Sequence, residues 1–308
     1  MIEILLATYN GEAFLSSQLD SLLHQTEQDF CILVQDDGST DGTETILNEY
    51  ANAHPDRIRL LSGLLHEKGP RGNFMSLLCA SQADYVMFCD QDDVWHPNKI
   101  ALTFARMREG EREYGASCPL LAHTDLRVVD RELKPISPSF LQFQKLDGTP
   151  RLSRLLTQNS VTGCTTMLNR ALVDLMKNAP AGDMLMHDWW AAICAQAFGH
   201  ILLVPEATID YRQHGKNQLG ATGFDAVRDA KRVASQGEDI RRRLKDTYRQ
   251  ADAFQQCYEG SLPKNAAQII RRYTALPQKG KAARVYTLLR HGYLKKGVAR
   301  WVGQILFC

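Results

Sequence analysis

Apolar runs of strand length alternate with helical patterns through the first hundred residues. The apolar runs lie at 2–9, 30–36, 57–62 and 85–90. Between them, apolar residues recur every three or four positions at 12–25, 43–53 and 73–81. This alternation predicts a parallel, doubly wound α/β sheet of Rossmann-like type with helices on both faces. Ligands of such sheets bind beyond the carboxyl ends of the strands, where polar clusters follow three of these runs.

The pattern changes twice further along the chain. After Pro97, apolar runs near 119–130, 161–168 and 201–212 predict more strands, and 188–198 predicts a helix. These elements continue the same sheet in a mixed arrangement. After Gly223 the pattern is helical to the end. We therefore predict a mostly parallel α/β domain over 1–223 and a helical region over 224–308.

Charge is divided unevenly between these two parts of the 308-residue chain. Residues 225–308 hold 18 lysines and arginines against 7 acidic residues, a net charge of +11, which leaves −10 for the remainder. The two parts are therefore expected to face different partners. Because the main domain is acidic and carries no recognisable nucleic-acid motif, we expect no nucleic-acid partner.

Cysteine spacing bears on the compartment. The eight cysteines are scattered, with no C-x-x-C pair, and no leader pattern precedes the first predicted strand. These features predict reduced, buried thiols in the cytoplasm rather than a disulfide framework or a zinc site. We also expect no transmembrane span, because no apolar run reaches about 18 residues.

Three carboxylates crowd the end of the predicted strand at 85–90, in Asp90, Asp92 and Asp93. Carboxylates this close raise one another's proton affinity unless a cation or several donors hold them. Mg²⁺ and Mn²⁺ prefer oxygen ligands and commonly bind one or two carboxylates together with substrate phosphates. We therefore predict a divalent cation here. The alternative is that Asp93 caps the following helix while the others face water.

Asp36 and Asp37 repeat this theme at the end of the second predicted strand. A carboxylate there can accept the N3–H of uracil or thymine, which cytosine lacks. The segment DGSTDG at 37–42 is also ordinary turn sequence, so alone it is weak evidence. The acidic cluster on a nearby strand favours the nucleotide interpretation.

A second candidate region is MLMHDWW at 184–190. Asp188, at the start of an apolar helix, could draw the proton from an attacking alcohol. The indoles of Trp189 and Trp190 could present flat apolar faces to a sugar ring and exclude water. The alternative is a capping aspartate beside two core tryptophans. Beyond the strand at 201–212, His214 could complete a metal shell or donate to a diphosphate.

The motifs ATYNG at 7–11, QDDGSTDGT at 35–43 and DQDD at 90–93 together resemble the inverting family-2 glycosyltransferases of the GT-A fold. The resemblance covers residues 1 to about 220. It implies a nucleotide-sugar half at 1–110 and an acceptor half at 111–223, with a sugar moved from a nucleoside diphosphate by single displacement. HDWW at 187–190 and GCTTMLNR at 163–170 resemble the rhamnosyltransferase-like branch, which makes L-rhamnose from a dTDP- or UDP-linked donor the first choice.

The resemblance also implies roles for matched positions. The nucleotide-sugar contacts are Ala7, Thr8, Tyr9, Asn10, Asp37, Arg71 and Asp90. The ligands of Mg²⁺ or Mn²⁺ are Asp92 and His214, with Asp90 and Asp93 as further candidates. Asp188 is the catalytic base; it matches the second residue of an E-D motif whose first residue is here His187. The acceptor contacts are Gly163, Cys164, Trp189 and Trp190.

The carboxyl-terminal segment carries a separate prediction. Apolar residues between 283 and 307 recur at helical spacing among five cations. A basic amphipathic helix of this kind can lie on an anionic membrane surface, here the inner face of the cytoplasmic membrane, or pack against the protein with its charges in water. The saccharide or lipid-linked acceptors of O-antigen and capsule synthesis favour the membrane.

Two other functions compete with glycosyl transfer. Sugar-phosphate nucleotidyltransferases typically carry a G-x-G-T-R-rich phosphate loop after the first strand, whereas this chain has TYNG at 8–11. A non-catalytic nucleotide-sugar-binding protein is expected to have lost Asp188 or the DQDD carboxylates, and both are present.

Overall fold

The computed structural model describes residues 1–63, 67–214 and 237–308, and these residues form a nine-stranded sheet. In chain order the strands are β1 (Ile2–Thr8), β2 (Phe30–Asp36), β3 (Ile58–Leu60), β4 (Tyr85–Cys89), β5 (Val94–Trp95), β6 (Leu120–Val129), β7 (Pro135–Ser137), β8 (Thr166–Asn169) and β9 (His200–Arg212). The order across the sheet is β3-β2-β1-β4-β8-β6-β9-β5, with β7 beside β6.

Strand direction divides the sheet into two halves. Strands β1 to β4 are parallel to one another. In the other half, β8 runs antiparallel to β4 and β6, while β6 and β9 are parallel. The parallel first half and the mixed continuation are as predicted, and the carboxyl ends of β1, β2 and β4 lie side by side.

Helices cover both faces of the sheet. In chain order they are α1 (Leu15–Leu23), α2 (Thr43–Ala53), α3 (Pro70–Ala80), α4 (Lys99–Tyr114), α5 (Phe140–Phe143), α6 (Leu152–Leu155), α7 (Arg170–Met176), α8 (His187–Phe198), α9 (Gly237–Cys257), α10 (Lys264–Thr274), α11 (Lys281–His291) and α12 (Val298–Phe307). Along β1, Leu5 belongs to the core shared with α3 and α8, whereas Ile4 and Leu6 belong to the core shared with α1 and α4. Each leucine buried in this way contributes about 1.5–3 kcal/mol.

The predicted strand at 161–168 is corrected to a shorter one. Residues Gly163–Thr165 form a 3₁₀ turn, and β8 begins only at Thr166. The hydroxyls of Thr165 and Thr166 donate to the carbonyl oxygens of Thr162 and Gly163, at 2.6 and 2.7 Å. Local side-chain bonds of this type compete with extended structure, which explains the late start of the strand.

The carboxyl-terminal helices share a core with α8. Trp190 of α8 packs against Phe254 and Tyr258 of the α9 segment, with ring centroids 5.1 and 6.2 Å apart. The predicted boundary at residues 223 and 224 lies outside the described residues, so the division into domains stays a prediction. No helix in the described ranges is long and apolar enough to cross a membrane.

The amphipathic segment predicted over 283–307 is two helices, α11 and α12, rather than one. Gly292 and Gly297 separate them, with φ of 71° and 97°. Glycine adopts these left-handed angles without steric cost, so the chain can turn there. All eight cysteines are unpaired thiols; Cys89, Cys164 and Cys194 are buried, whereas Cys79 is exposed.

Candidate active site

The loops that follow β1 and β4 are joined by Gln91, the second residue of DQDD. Its side chain accepts a hydrogen bond from the Tyr9 amide at 2.8 Å and donates to the Tyr9 carbonyl at 2.9 Å. Asn10, at φ 48°, accepts from the Thr40 amide at 2.8 Å. These bonds hold the polar ends of three parallel strands together, as the sequence predicted.

Asp36 and Asp37 have different surroundings. Asp36 accepts hydrogen bonds from the hydroxyls of Thr8 and Ser39, at 2.8 and 2.6 Å, and so stabilises the turn. Asp37 is half-buried at the rim, where its carboxylate accepts from the Gly69 amide at 2.6 Å. The turn interpretation therefore applies to Asp36 and its partner Thr8. Of the two carboxylates, Asp37 is therefore the candidate for the predicted contact with a nucleotide base.

The remaining donor-side residues surround this rim. Ala7 is half-buried at the end of β1, and Tyr9 and Asn10 are exposed just beyond it. Arg71, at the start of α3, donates to the Met184 carbonyl at 2.6 Å and to Glu67 at 2.5 Å. Its guanidinium thereby joins α3 to the segment that leads into α8.

The acidic cluster has an outer and an inner part. In the outer part, Asp92 Oδ2 lies 2.6 Å from His214 Nε2, and the His214 ring packs on Phe14 at 4.7 Å. In the inner part, Asp93 is completely buried, and its Oδ1 accepts from the Arg212 amide at 3.2 Å. The structure thus brings His214 to the DQDD segment, although the two lie far apart in the sequence.

Burial and mutual repulsion make the cluster electrostatically unusual. Burial, then Asp92 and Asp188, raise the pKa of Asp90 to about 7. Burial and the two neighbouring carboxylates also raise the pKa of Asp93 well above its ordinary value. Carboxylates shifted in this way gain from a cation or from hydrogen-bond donors.

Two observations indicate that the side chains of the acidic cluster suit a divalent cation. Carboxylate oxygens of Asp90 and Asp93 and the sulfur of Cys164 lie within 4.8 Å of one another. Asp93 Oδ2 is buried without a hydrogen-bond partner, and Asp92 and His214 add an oxygen and a nitrogen close by. Oxygen-rich donor sets of this composition suit Mg²⁺ or Mn²⁺.

Asp188 lies in the first turn of α8, facing the cluster. Its Oδ2 accepts from the Gly163 amide at 3.0 Å and its Oδ1 from the Trp189 amide at 2.6 Å. Burial raises the pKa of Asp188 to about 6, although these amide bonds lower it. The N-cap of α8 is Met186, so the capping alternative does not describe Asp188.

Gly163 lies so close to His187 and Asp188 that a side chain there would be tightly packed. A Cβ built there would lie 3.0 Å from His187 Nε2 and 3.3 Å from Asp188 Cβ. His187 itself stacks on Phe74 at 4.1 Å and is buried, which lowers its pKa to about 3. The ring is therefore neutral and adds no charge beside the candidate base. The sequence placed Gly163 on the acceptor side and missed this amide contact.

The structure corrects the acceptor prediction for two residues. Trp190 is 0% exposed, and its indole nitrogen donates to the Tyr258 hydroxyl at 3.2 Å, so it has no surface for a saccharide. Cys164 is buried among the acidic side chains. Trp189 is half-buried and donates to the Leu155 carbonyl at 2.6 Å. The signal for Trp190 was its helical spacing from Ile193 and Cys194, which share its core.

Two basic residues near the DQDD segment were not predicted from the sequence. Arg212, the last residue of β9, donates from Nε to the Asp92 carbonyl at 2.9 Å. Lys99, at the start of α4, is completely buried beneath the cluster. No sequence motif marks either residue. The sequence shows only that a basic residue stands at the end of the apolar strand β9 and at the start of α4.

The chain is similar to a known protein family and to known proteins. Residues 3–170 match the family model described as Glycosyl transferase family 2. Over 227 residues the chain is 29% identical to the dTDP-rhamnosyl transferase RfbG of Shigella flexneri, covering 70% of this chain and 74% of that protein.

Two solved structures are similar in fold. S. aureus TarS 1-349 in complex with UDP-GlcNAc superposes with a TM-score of 0.56 at 16% identity, covering 95% of this chain and 92% of that one. The mannosyltransferase PcManGT from Pyrobaculum calidifontis, in complex with GDP-Man and Mn²⁺, gives 0.57 at 15% identity, covering 97% and 76%. At these identities the likeness shows the fold.

Proposed function

Because the chain belongs to glycosyl transferase family 2 and is a glycosyltransferase of the GT-A fold, we propose that it transfers one sugar with inversion to a saccharide hydroxyl. The observation that carries this proposal is the position of Asp188. Its carboxylate faces the DQDD cluster closely enough to raise the pKa of Asp90, and the Gly163 amide fixes its orientation. A base on one side and a diphosphate site on the other are what a single displacement requires.

We propose dTDP-L-rhamnose as the first donor to test. Asp37, at the rim of the sheet, would accept the N3–H of a thymine or uracil, beside Ala7, Tyr9 and Asn10. The name of the Shigella flexneri relative supports a dTDP-linked rhamnosyl donor. Asp90 and Arg71 would border the ribose and the diphosphate.

The outer acids would hold the diphosphate end of the donor. Asp92 and His214 would ligate Mg²⁺ or Mn²⁺, with Asp90 near enough to share the charge. A bound cation would supply neutralisation of the negative charge on the nucleoside diphosphate. The Mn²⁺ in the Pyrobaculum calidifontis structure supports testing this metal first.

Asp188 would act as the base for the acceptor hydroxyl. With a pKa of about 6 it is mostly ionised at neutral pH, yet basic enough to take a proton as the new glycosidic bond forms. The amides of Gly163 and Trp189 hold both carboxylate oxygens, which orients the remaining lone pairs. Trp189, half-buried next to it, stays the candidate aromatic contact for the acceptor.

We further propose that the protein works at an anionic membrane surface on saccharide or lipid-linked acceptors of cell-surface polysaccharide. Exposed apolar side chains on α11 and α12 support this, namely Tyr286, Leu289, Val298 and Leu306. Not every cation of the segment is available, since Lys296 pairs with Asp147 and Arg300 donates to Gln144. The exposed Arg290 adjoins Leu289, as in helices that lie in membrane interfaces.

A donor screen tests the transfer reaction. Purified full-length protein is incubated with dTDP-rhamnose, UDP-sugars and GDP-sugars, with Mn²⁺ or with a chelator, and release of the free nucleotide is measured. We expect release from the dTDP donor that depends on Mn²⁺ and is lost in Asp188→Asn. Tight binding of a nucleotide sugar without turnover of any donor would instead indicate a binding protein.

A further inference from the structure

Four consecutive main-chain amides in the loop after β1 donate to side chains of other loops. The distances are 2.8–3.2 Å, and the pairs are Tyr9 with Gln91, Asn10 with Ser39, Gly11 with Thr43, and Glu12 with Asp41. Loops that cradle a phosphate present such amides to the ligand instead. None of these four amides is therefore available to a diphosphate, whereas the Tyr9 side chain is 55% exposed.

Tyr9 differs from the next three residues in the partner of its main chain. Its amide donates to the Gln91 side chain at 2.8 Å, and its carbonyl accepts from the same side chain at 2.9 Å. The amides of the next three residues donate to the loop that follows β2. Gln91 thus connects Tyr9 directly to the segment that carries Asp90 and Asp92.

Gly11 leaves the space that this contact occupies. A Cβ built at Gly11 would lie 2.4 Å from Gln91 Oε1 and 2.6 Å from Gln91 Cδ. The φ of Gly11 is not positive, so its main-chain conformation is open to other residues. A side chain at this position would therefore displace the Gln91 amide, which is the end of a flexible side chain.

The DQDD segment is also held from its other side, by β9. Arg212 donates from Nε to the Asp92 carbonyl at 2.9 Å and from its amide to Asp93 Oδ1 at 3.2 Å. Neither bond involves the Gln91 side chain. Loss of that side chain should therefore release Tyr9 and leave the acidic residues in place.

We propose that Gln91 is a positioning residue for the donor: it fixes Tyr9 relative to the DQDD carboxylates, and Gly11 is glycine to admit its side chain. The role rests on the proposed function, which assigns Tyr9 to the nucleobase and the carboxylates to the diphosphate and its cation. A loop that is already ordered binds its ligand more tightly, because binding then incurs no ordering cost. Gln91 thus acts on donor affinity through Tyr9 and takes no part in the chemical step.

Binding of dTDP and release of dTDP from dTDP-rhamnose, both by the full-length protein with Mn²⁺, test this role. In Gln91→Ala we expect the Kd of dTDP and the donor KM to rise about tenfold, with kcat within about twofold of wild type. Gln256→Ala is the matched control, because Gln256 is exposed on α9 and its amide donates to Asp252 of the same helix. It should retain the wild-type values.

Gly11→Ala breaks the same contact from the other side. The new methyl group displaces the Gln91 amide from Tyr9, so we expect dTDP to bind about tenfold more weakly here too. The double variant Gly11→Ala with Gln91→Ala should bind no more weakly than either single variant, since one contact can be lost only once. Additive losses of about a hundredfold would mean that the two residues act separately, and would overturn the proposal.

Hydrogen exchange followed by NMR tests the contact in protein without metal or nucleotide. The Tyr9 amide should exchange at least about tenfold faster in Gln91→Ala than in wild type, whereas the Gly11 amide, held by Thr43, should keep its rate. If wild-type protein binds neither dTDP nor UDP, the donor in the proposed function is wrong, and exchange at Tyr9 alone decides whether Gln91 fixes the loop. Unchanged exchange in Gln91→Ala, unchanged dTDP affinity, or a loss confined to kcat would each overturn the positioning role.

Discussion

The two charged regions of this molecule handle like charges in opposite ways. Near the carboxyl ends of the strands, the half-buried Asp90 lies close to the buried Asp93 and Asp188, and burial raises the pKa of each. In the carboxyl-terminal region, basic side chains such as Arg290 face water or, like Lys296, bind an acidic side chain and a backbone carbonyl. At the sheet, burial and mutual repulsion of the carboxylates destabilise the folded state, and a cation or hydrogen-bond donors can relieve this.

Removal of the base should give the largest effect. We expect Asp188→Asn to lower kcat by about 10²- to 10⁴-fold, because amide oxygen cannot take the acceptor proton. Because the carboxyl group binds a proton more tightly in the folded state, its ionisation destabilises the protein as pH rises through about 4 to 6. The Tm of the variant at pH 8 should therefore be unchanged or higher.

Asp183→Asn is the control for this variant, since Asp183 is exposed five residues earlier and touches none of the acidic groups. It should retain wild-type kcat. If Asp188→Asn lowered Tm as well as activity, the carboxylate would serve stability. The contrast between the two charged regions would then be lost.

The pH dependence of kcat should follow the same group. Since the carboxylate form of Asp188 is the proposed base, kcat should rise with pH, with an apparent pKa of about 6, and fall about tenfold per unit below it. Initial rates at saturating donor and Mn²⁺ from pH 4.5 to 8 would show this. A profile that is flat down to pH 4.5 would indicate a base with an ordinary carboxyl pKa.

The close approach at Gly163 should matter less than the base itself. In Gly163→Ala the new methyl group would be in tight contact with His187 and Asp188, so these neighbours must give by a few tenths of an ångström, which would disturb the bond between Asp188 and the Gly163 amide. We expect kcat to fall by about tenfold with little change in donor KM. Gly182→Ala, at a position with open space around the new methyl group, should behave as wild type.

Membrane contact should show the smallest effect. Replacing Tyr286 and Leu289 together by serine should reduce recovery of the protein with anionic vesicles about threefold or more, since both side chains are largely exposed. Activity on a soluble acceptor should not change. Ile136→Ser on β7 is the matched control, because Ile136 is 51% exposed in a different region. Equal loss in both variants would argue against a specific membrane surface.

Local pattern was sufficient for the parallel half of the sheet. Strands β1, β2 and β4 are continuous apolar runs that end in turn formers, so both their existence and their ends were predictable. The same rule brought the TYN, DDG and DQDD segments to one edge. The turn at Gly163–Thr165 escaped it, because threonine hydroxyls there bond to the chain itself.

Contacts between distant segments were beyond such patterns. Nothing near Lys99 or Arg212 in the sequence indicates that β9 and α4 converge beneath DQDD. The resemblance, and no local pattern, assigned His214 and Asp92 to one metal ion, and the two side chains do lie in contact. Trp190 was misplaced for a related reason, since an apolar helix with two adjacent tryptophans does not reveal which one faces the core before its neighbours in α9 are known.

The hydroxyl of Tyr258, just after α9, links that helix to both α7 and α8, as it donates to the Leu175 carbonyl and accepts a hydrogen bond from the Trp190 indole nitrogen. Trp190 is two residues from Asp188, so the terminal helices help to hold the segment that carries the proposed base. A shortened chain that ended before residue 237 would bare this segment to solvent. Surface exchanges on α11 can therefore probe vesicle binding, whereas deletion of the segment would disturb catalysis and attachment together.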